Sequence, residues 1–200
     1  MTDARTYFAD HLRELPIVVI LRGLDPDAAV ILAQEAWSHG VSLVEVTLQD
    51  AGGYAALEAV ASAAPAGYDV GAGTITEASQ VQLALNAGAR FGIAPGFDAA
   101  SVQEAERLGV PFLPGVATAS EVQAAQASGV AAAKAFPADV LTPSWITAMR
   151  GPFPGMGFIA TGGVSADNAQ RFLDAGALGV AISLQPGSSR LREVSAALKG

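Results

Sequence analysis

Two side chains stand where their chemistry is out of keeping with their neighbours. Lys134 lies in AAAKAFPA, an apolar stretch with no other charge for several residues on either side. The chain's other lysine, Lys199, is next to the C-terminus. A solvated lysine normally sits among other charges on a helix face; one set among alanines and a phenylalanine is expected to be buried. Burial disfavours an ammonium ion and frees the amine to attack a carbonyl carbon. The alternative is an ammonium that reaches the mouth of a pocket and holds an anion. Glu45 interrupts LVEVTL, a run otherwise suited to burial. Strand alternation puts Leu43, Glu45 and Thr47 on one face and Val44 and Val46 on the other. If the valines face covering helices, the carboxylate points inward and needs a partner, and a lysine on another strand is one candidate. Such a carboxylate is either a general acid/base or half of a structural ion pair. A lysine and a glutamate that are each the lone charge of a buried strand favour catalysis.

A third feature is IATGGVSADN, residues 159–168, read as strand, glycine turn and helix. Gly162 and Gly163 would let backbone N–H groups approach an anion, and the following helix adds its positive end. A Gly-Gly pair can also serve only to turn the chain. GAGT (71–74), APGF (94–97) and LPGV (113–116) are further glycine turns at strand ends, with Thr74 and Pro95 expected at a pocket mouth. Gln49 and Thr161 are polar residues at the ends of apolar strands. Arg22 ends IVVILRG and either binds a carboxylate or is solvated. His11 and His39 fall on expected helices, away from those ends, and are read as structural.

Composition bounds the classes of function. Hydrophobic residues make up 51% and charged residues 15%, enough apolar material for one sizeable core. The net charge of −8, without a basic run, argues against nucleic acid or an anionic membrane as partner. An anionic small molecule would need local cations. The chain has no cysteine, which excludes disulfides, thiolate catalysis and cysteine-ligated zinc. With two histidines, no histidine metal cage is expected, and no cofactor. The first residues, MTDARTYFADHLRE, are charged, and apolar stretches break within about ten residues, short of the ~20 a membrane span needs. A cytoplasmic protein is the expectation.

The elements that must position these residues recur along the chain. Helix-like runs end in Gly40, Gly88, Gly109, Gly129 and Gly176, and each is followed by a short apolar run. Glycine is suited to the left-handed cap that ends a helix, and the apolar runs read as buried parallel strands. Strands are expected near 16–22, 43–48, 69–73, 91–94, 111–114, 131–135, 157–161 and 179–183. Helices are expected near 3–14, 26–39, 52–64, 76–87, 98–108, 118–128, 142–150, 165–175 and 189–198. Asp25, Thr76, Asp98, Thr118, Thr142 and Ser165 are the expected N-caps, with Pro26 and Pro143 just inside two helices. Eight alternating units of about 25 residues predict an α/β fold, a (β/α)8 TIM barrel with an extra N-terminal helix. The competing architecture is an open doubly wound sheet. No linker divides the chain, so residues 1–200 are read as a single (β/α)8 barrel domain. Such barrels build active sites at the C-terminal ends of their strands, where the polar residues above fall.

The stretches ILRG (20–23), VEVTL (44–48), GAGT (71–74), APG (94–96), PGVAT (114–118), KAFPA (134–138) and TGGV (161–164) are, in order and spacing, similar to those of the KDPG/KHG aldolases. These are class I enzymes that cleave 2-keto-3-deoxy-6-phosphogluconate, its phosphogalactonate epimer or 4-hydroxy-2-oxoglutarate. The resemblance runs from about Ile17 to Leu184. It implies a trimeric barrel that needs no metal, in which Lys134 forms the Schiff base and Glu45 transfers protons. By the same resemblance Thr74 would hold the carboxylate of the pyruvate portion, and Thr161 would position the reacting hydroxyl. Pro95 and Phe136 would wall the pocket, and Gly162, Gly163 and Ser183 would receive a phosphate. The ILRG form, with Arg22, is most like the phosphogalactonate branch.

The chain departs from the family's pattern at three places. Gln49 stands where many members have arginine, leaving Arg22 to compensate. Ile182 replaces a glycine before Ser183 and is expected either to crowd the anion or to block its approach to the backbone. Leu184 and Gln185 replace the usual residues after that serine. The function expected is a pyruvate-dependent class I aldolase that cleaves a 2-keto-3-deoxy sugar acid, 2-keto-3-deoxy-6-phosphogluconate first and its phosphogalactonate epimer or 4-hydroxy-2-oxoglutarate as alternatives, to pyruvate and an aldehyde such as glyceraldehyde 3-phosphate. The competing expectations are a phosphate-binding isomerase or epimerase with Glu45 as base and no imine, and a barrel that binds an anionic metabolite without chemistry.

Overall fold

A computed structural model describes residues 4–49 and 51–199. Helix α1 (Ala4–His11) precedes β1 (Ile17–Leu21), α2 (Pro26–Ser38), β2 (Leu43–Thr47), α3 (Ala51–Ala63) and β3 (Asp69–Gly73). Then come α4 (Ala78–Asn86), β4 (Phe91–Ile93), α5 (Ala99–Leu108), β5 (Phe112–Leu113), β6 (Gly115–Val116) and α6 (Ala119–Ala127). The chain ends with β7 (Ala132–Ala135), α7 (Ala138–Arg150), β8 (Gly157–Thr161), α8 (Ala169–Asp174), β9 (Gly179–Leu184) and α9 (Arg190–Lys199). Every paired strand is parallel to its neighbour, in the order β5-β4-β3-β2-β1-β9-β8-β7-β6.

The expected strand at 111–114 is two short pieces, and the reason is Pro114. It has no N–H to give a ladder. On one side of it Leu113 O accepts from Ala94 N at 3.0 Å; on the other, Pro114 O accepts from Lys134 N at 2.8 Å and Val116 O from Phe136 N at 3.2 Å. Gly115 N still donates to Gly96 O at 3.1 Å, so the segment around Pro114 bonds to both neighbours, and β5 and β6, at opposite ends of the strand order, close the sheet into a barrel. That closure excludes the open doubly wound sheet.

Alternation along the strands makes two cores. Ile17, Val19, Leu21, Val44, Val46, Ala133, Ala135, Phe158, Ala160, Val180 and Ile182 face the helices and pack with Leu32, Ala36, Leu57, Val60 and Phe172. Val18, Ile20, Leu43, Phe91, Ile93, Leu113, Ala132, Ile159 and Ala181 fill the barrel interior together with Phe8 and Leu12. Helix α1 thus forms the floor of the barrel. Tyr7 donates its hydroxyl to Asp69 at 2.6 Å, the first residue of β3, and His11 Nε2 lies 3.3 Å from the same carboxylate. Burial and the Asp69 contact raise the Tyr7 hydroxyl well above the ordinary phenol value.

Local signals in the sequence are met at most helix ends. Asp25 accepts from Ala28 N at 2.9 Å and Asp98 from Ser101 N at 2.8 Å, while Thr118 forms a capping box with Glu121. Gly40, Gly88, Gly109, Gly129 and Gly176 all have positive φ, the backbone their positions after helices require. Three helix starts differ. Glu77, not Thr76, caps α4, because the Gln80 side chain accepts from the N–H groups of both residues. Helix α7 begins at Ala138 and is kinked at Thr142 (φ 63°), so Thr142 and Pro143 open its second half. Helix α8 begins at Ala169, because Ser165 N bonds to Asn168 Oδ1 at 2.9 Å and the segment between stays a turn. No helix among the described residues is long and apolar enough to cross a membrane.

Phe8 is fully buried and meets Phe91 edge-on at 5.7 Å between ring centroids. Phe8→Ala should lower the unfolding free energy by about 3–5 kcal/mol, read by urea denaturation; a loss within experimental error would show that α1 is no structural floor.

Candidate active site

Lys134 is carried on β7 between Ala133 and Ala135, which face the helices, so its side chain points into the barrel. It is 3% exposed, and its Nζ lies 4.9 Å from the centroid of the Phe136 ring. The amine is therefore enclosed rather than solvated, as the apolar context of AAAKAFPA predicts.

Glu45 lies on the interior face of β2 with Leu43 and Thr47 and is 1% exposed. Its carboxyl group lies against Gly73 on the neighbouring strand, in space a β-carbon at 73 would occupy. Neither carboxylate oxygen has a hydrogen-bond partner among the described residues, and no ion pair joins it to Lys134 there. The two groups interact through space. Burial pushes the Glu45 carboxyl above the usual carboxylate range, and the charges of Lys134 and then Arg22 pull it back. A closed structural ion pair, the bland expectation for Glu45, is not what the geometry has.

A cavity of about 70 Å³ brings together Arg22, Lys134, Phe136, Thr161, Gly162, Gly163 and Ser183. They come from the C-terminal ends of β1, β7, β8 and β9 and the turns that follow, the end of the barrel opposite α1. Gly162 and Gly163 have φ values of 94° and 73°. A β-carbon at Gly163 would overlap the Asp139 carboxyl group, and Asp139 N donates to Gly162 O at 3.0 Å. The turn is thus pressed against the start of α7, and its glycines are required by both backbone angle and space.

Other candidates stand apart from this cavity. Gln49 is exposed, accepts from the Thr47 hydroxyl at 3.4 Å, and lines a separate cavity of about 240 Å³ with Thr47, Gly52 and Gly53. Thr74, half-buried, follows β3 in a left-handed conformation (φ 61°), unusual for a residue with a branched side chain. Pro95, also half-buried, follows β4, and its carbonyl lies against Gly115. Both are at the same end of the barrel, outside the Lys134 cavity. Ile182 corrects an expectation. It adjoins the cavity, but alternation sends its side chain into the helix-facing core, so it does not crowd the space beside Ser183. His11 belongs to the floor and His39 caps α2. Among the described residues no group of three or more His, Asp or Glu could hold a metal ion.

Sequence reasoning missed Arg190, which lines the cavity from the start of α9. Its signal was available: an arginine in the first turn of a helix is at the end where the dipole disfavours a cation.

The match to known proteins covers nearly the whole chain. The family model for KDPG and KHG aldolase matches residues 8–195. A protein of Rhizobium meliloti named a probable 2-dehydro-3-deoxy-6-phosphogalactonate aldolase is 37% identical over 168 residues, 84% of this chain and 78% of that protein. The 2-dehydro-3-deoxy-phosphogluconate aldolase of Pseudomonas aeruginosa is 36% identical over 162 residues, 80% of this chain and 72% of that protein. KDPG aldolase from Legionella pneumophila, solved with pyruvate captured at low pH as a covalent carbinolamine, superposes with a TM-score of 0.84 at 26% identity, covering 98% of this chain and 96% of that one. With a family model that spans the barrel from Phe8 to Ser195, the chain belongs to the KDPG and KHG aldolase family of lyases.

Proposed function

We propose that the chain is a class I aldolase that cleaves 2-keto-3-deoxy-6-phosphogluconate to pyruvate and glyceraldehyde 3-phosphate. The observation that carries this reading is the enclosure of Lys134 beside a buried, unpaired Glu45 at the C-terminal end of the barrel. The Lys134 amine attacks the C2 ketone, giving a carbinolamine that loses water to a protonated imine. Glu45, through a water, takes the proton of the C4 hydroxyl. The C3–C4 bond then breaks, its electron pair flows into the imine to form an enamine, and C4 leaves as the aldehyde. The enamine takes a proton at C3, and water releases pyruvate and the free amine. A cationic electron sink and a nearby base must meet the same three carbons, and two strands of a rigid barrel hold them there.

Around this centre, Thr161 positions the hydroxyl, Thr74 and Arg22 take the substrate carboxylate, and Phe136 and Pro95 wall the site. Gly162, Gly163 and Ser183 receive the phosphate. Gln49 is a rim contact, and the assembly is a homotrimer in the cytoplasm. The phosphogalactonate epimer and 4-hydroxy-2-oxoglutarate are the alternative substrates, and the names of the relatives support both phosphorylated sugars.

Borohydride added with pyruvate should leave a stable mass adduct on Lys134, and Lys134→Met should lose the adduct and cleavage by about a thousandfold or more. Cleavage without an adduct would instead support an imine-free reaction. The pH dependence of kcat/KM reports Glu45. Because its carboxyl is raised and must be ionised to act as base, activity should fall on the acid side at a higher pH than for an ordinary carboxylate. Arg22→Leu removes a charge that favours ionisation, so that limb should move further up; a shift downward would contradict the assignment. Gly73→Ala should displace the Glu45 carboxyl and reduce kcat by about ten- to a hundredfold, while pyruvate trapping persists. Loss of trapping and cleavage together would mean that the substitution disturbs the barrel and not Glu45 alone.

A further inference from the structure

Arg190 opens α9 at the edge of the cavity that holds Lys134, Gly162, Gly163 and Ser183. Several observations bear on why an arginine is there. Its position costs helix stability, because the N-terminal end of a helix dipole favours an anion. No acidic side chain compensates: among the described residues Arg190 takes part in no ion pair. Glu193, one turn on, is turned instead to the Ser189 hydroxyl at 2.6 Å. The same cavity is lined by two further cations: Arg22, assigned above to the substrate carboxylate, and Lys134, which is 3% exposed and acts through space on the buried Glu45. Arg190, exposed at the rim, is thus the one of these three cations that neither the reacting carbons nor the substrate carboxylate uses, in a chain whose net charge is −8. A guanidinium placed at a cavity rim presents several donors in a fork that matches a phosphate.

We propose that Arg190 is the specificity-determining residue for a phosphomonoester dianion at the end of the substrate remote from the reacting carbons. This inference rests on the aldolase reading of the same site. The Gly162–Gly163 turn and Ser183 supply neutral donors, which suit any oxygen-rich tail. Arg190 adds the charge that favours a phosphate over a hydroxyl. Ile182, its side chain turned to the helices, leaves room for that tail. The contact acts on binding that is common to ground and transition states, so its loss should appear chiefly in KM.

The test compares 2-keto-3-deoxy-6-phosphogluconate with its unphosphorylated form as substrates of the full chain. The ratio of their kcat/KM values is measured for the wild type, Arg190→Met and Arg190→Lys. The ratio should favour the phosphorylated substrate in the wild type and fall roughly ten- to a hundredfold in Arg190→Met. Arg190→Lys should restore part of it. Added salt should erode the wild-type preference and leave that of Arg190→Met nearly flat. A wild type without preference, or a ratio unchanged in Arg190→Met, overturns the assignment of Arg190 while pyruvate trapping at Lys134 keeps the aldolase reading intact. A wild type that forms no pyruvate adduct and cleaves neither substrate overturns both.

Discussion

A lysine and a glutamate enclosed in one apolar barrel are each expensive to bury, and neither is held by a direct partner among the described residues. In water such charges would be solvated; here their mutual field and that of Arg22 must do what water does outside. The arrangement is tolerable only in a scaffold too rigid to let either side chain swing out. Parallel strands paired on both sides give that rigidity. The hydrogen bond from Lys134 N to the Pro114 carbonyl fixes the lysine at the seam where the barrel closes. The residue that breaks the fifth strand therefore also anchors the amine.

The interior is graded in volume from floor to mouth. Phe8, Leu12, Leu43 and Phe91 fill the end near α1. Toward the other end the inward positions carry Gly73, Thr161 and Ser183, and the space they leave is where the functional side chains lie. Gly71 and Gly73 divide the task along one strand. The space above Gly71 is filled by the Phe91 ring, and that above Gly73 by the Glu45 carboxyl group. A strand with so few side chains of its own is a means of admitting those of its neighbours.

The sequence made the fold legible because its signals were redundant. Positive-φ glycines after helices, caps at Asp25, Asp98 and Thr118, and apolar runs of strand length pointed to the same alternation. What escaped was set by side chains competing for backbone groups: Gln80 displaced a cap, Asn168 delayed a helix, and Pro114 divided a strand. Of the candidate site, Lys134 and Glu45 were visible as lone charges in buried strands. Arg190 was hidden among the other charges of SSRLRE, where only its place relative to the helix end marked it. The direction of Ile182 followed from alternation along β9, which a comparison with a glycine at that position left out of account.

Helix α1 has a kinetic consequence. With Phe8 and Leu12 filling one end of the barrel, the chamber opens at the other. On the proposed chemistry, both fragments of a cleaved substrate must depart by the route along which it arrived. The aldehyde lies free while the three-carbon piece is still tethered to the amine, so the tethered fragment is last out. Turnover is then ordered by architecture: a mouth still occupied by aldehyde favours recombination, and the reverse condensation is a natural companion of the forward cleavage.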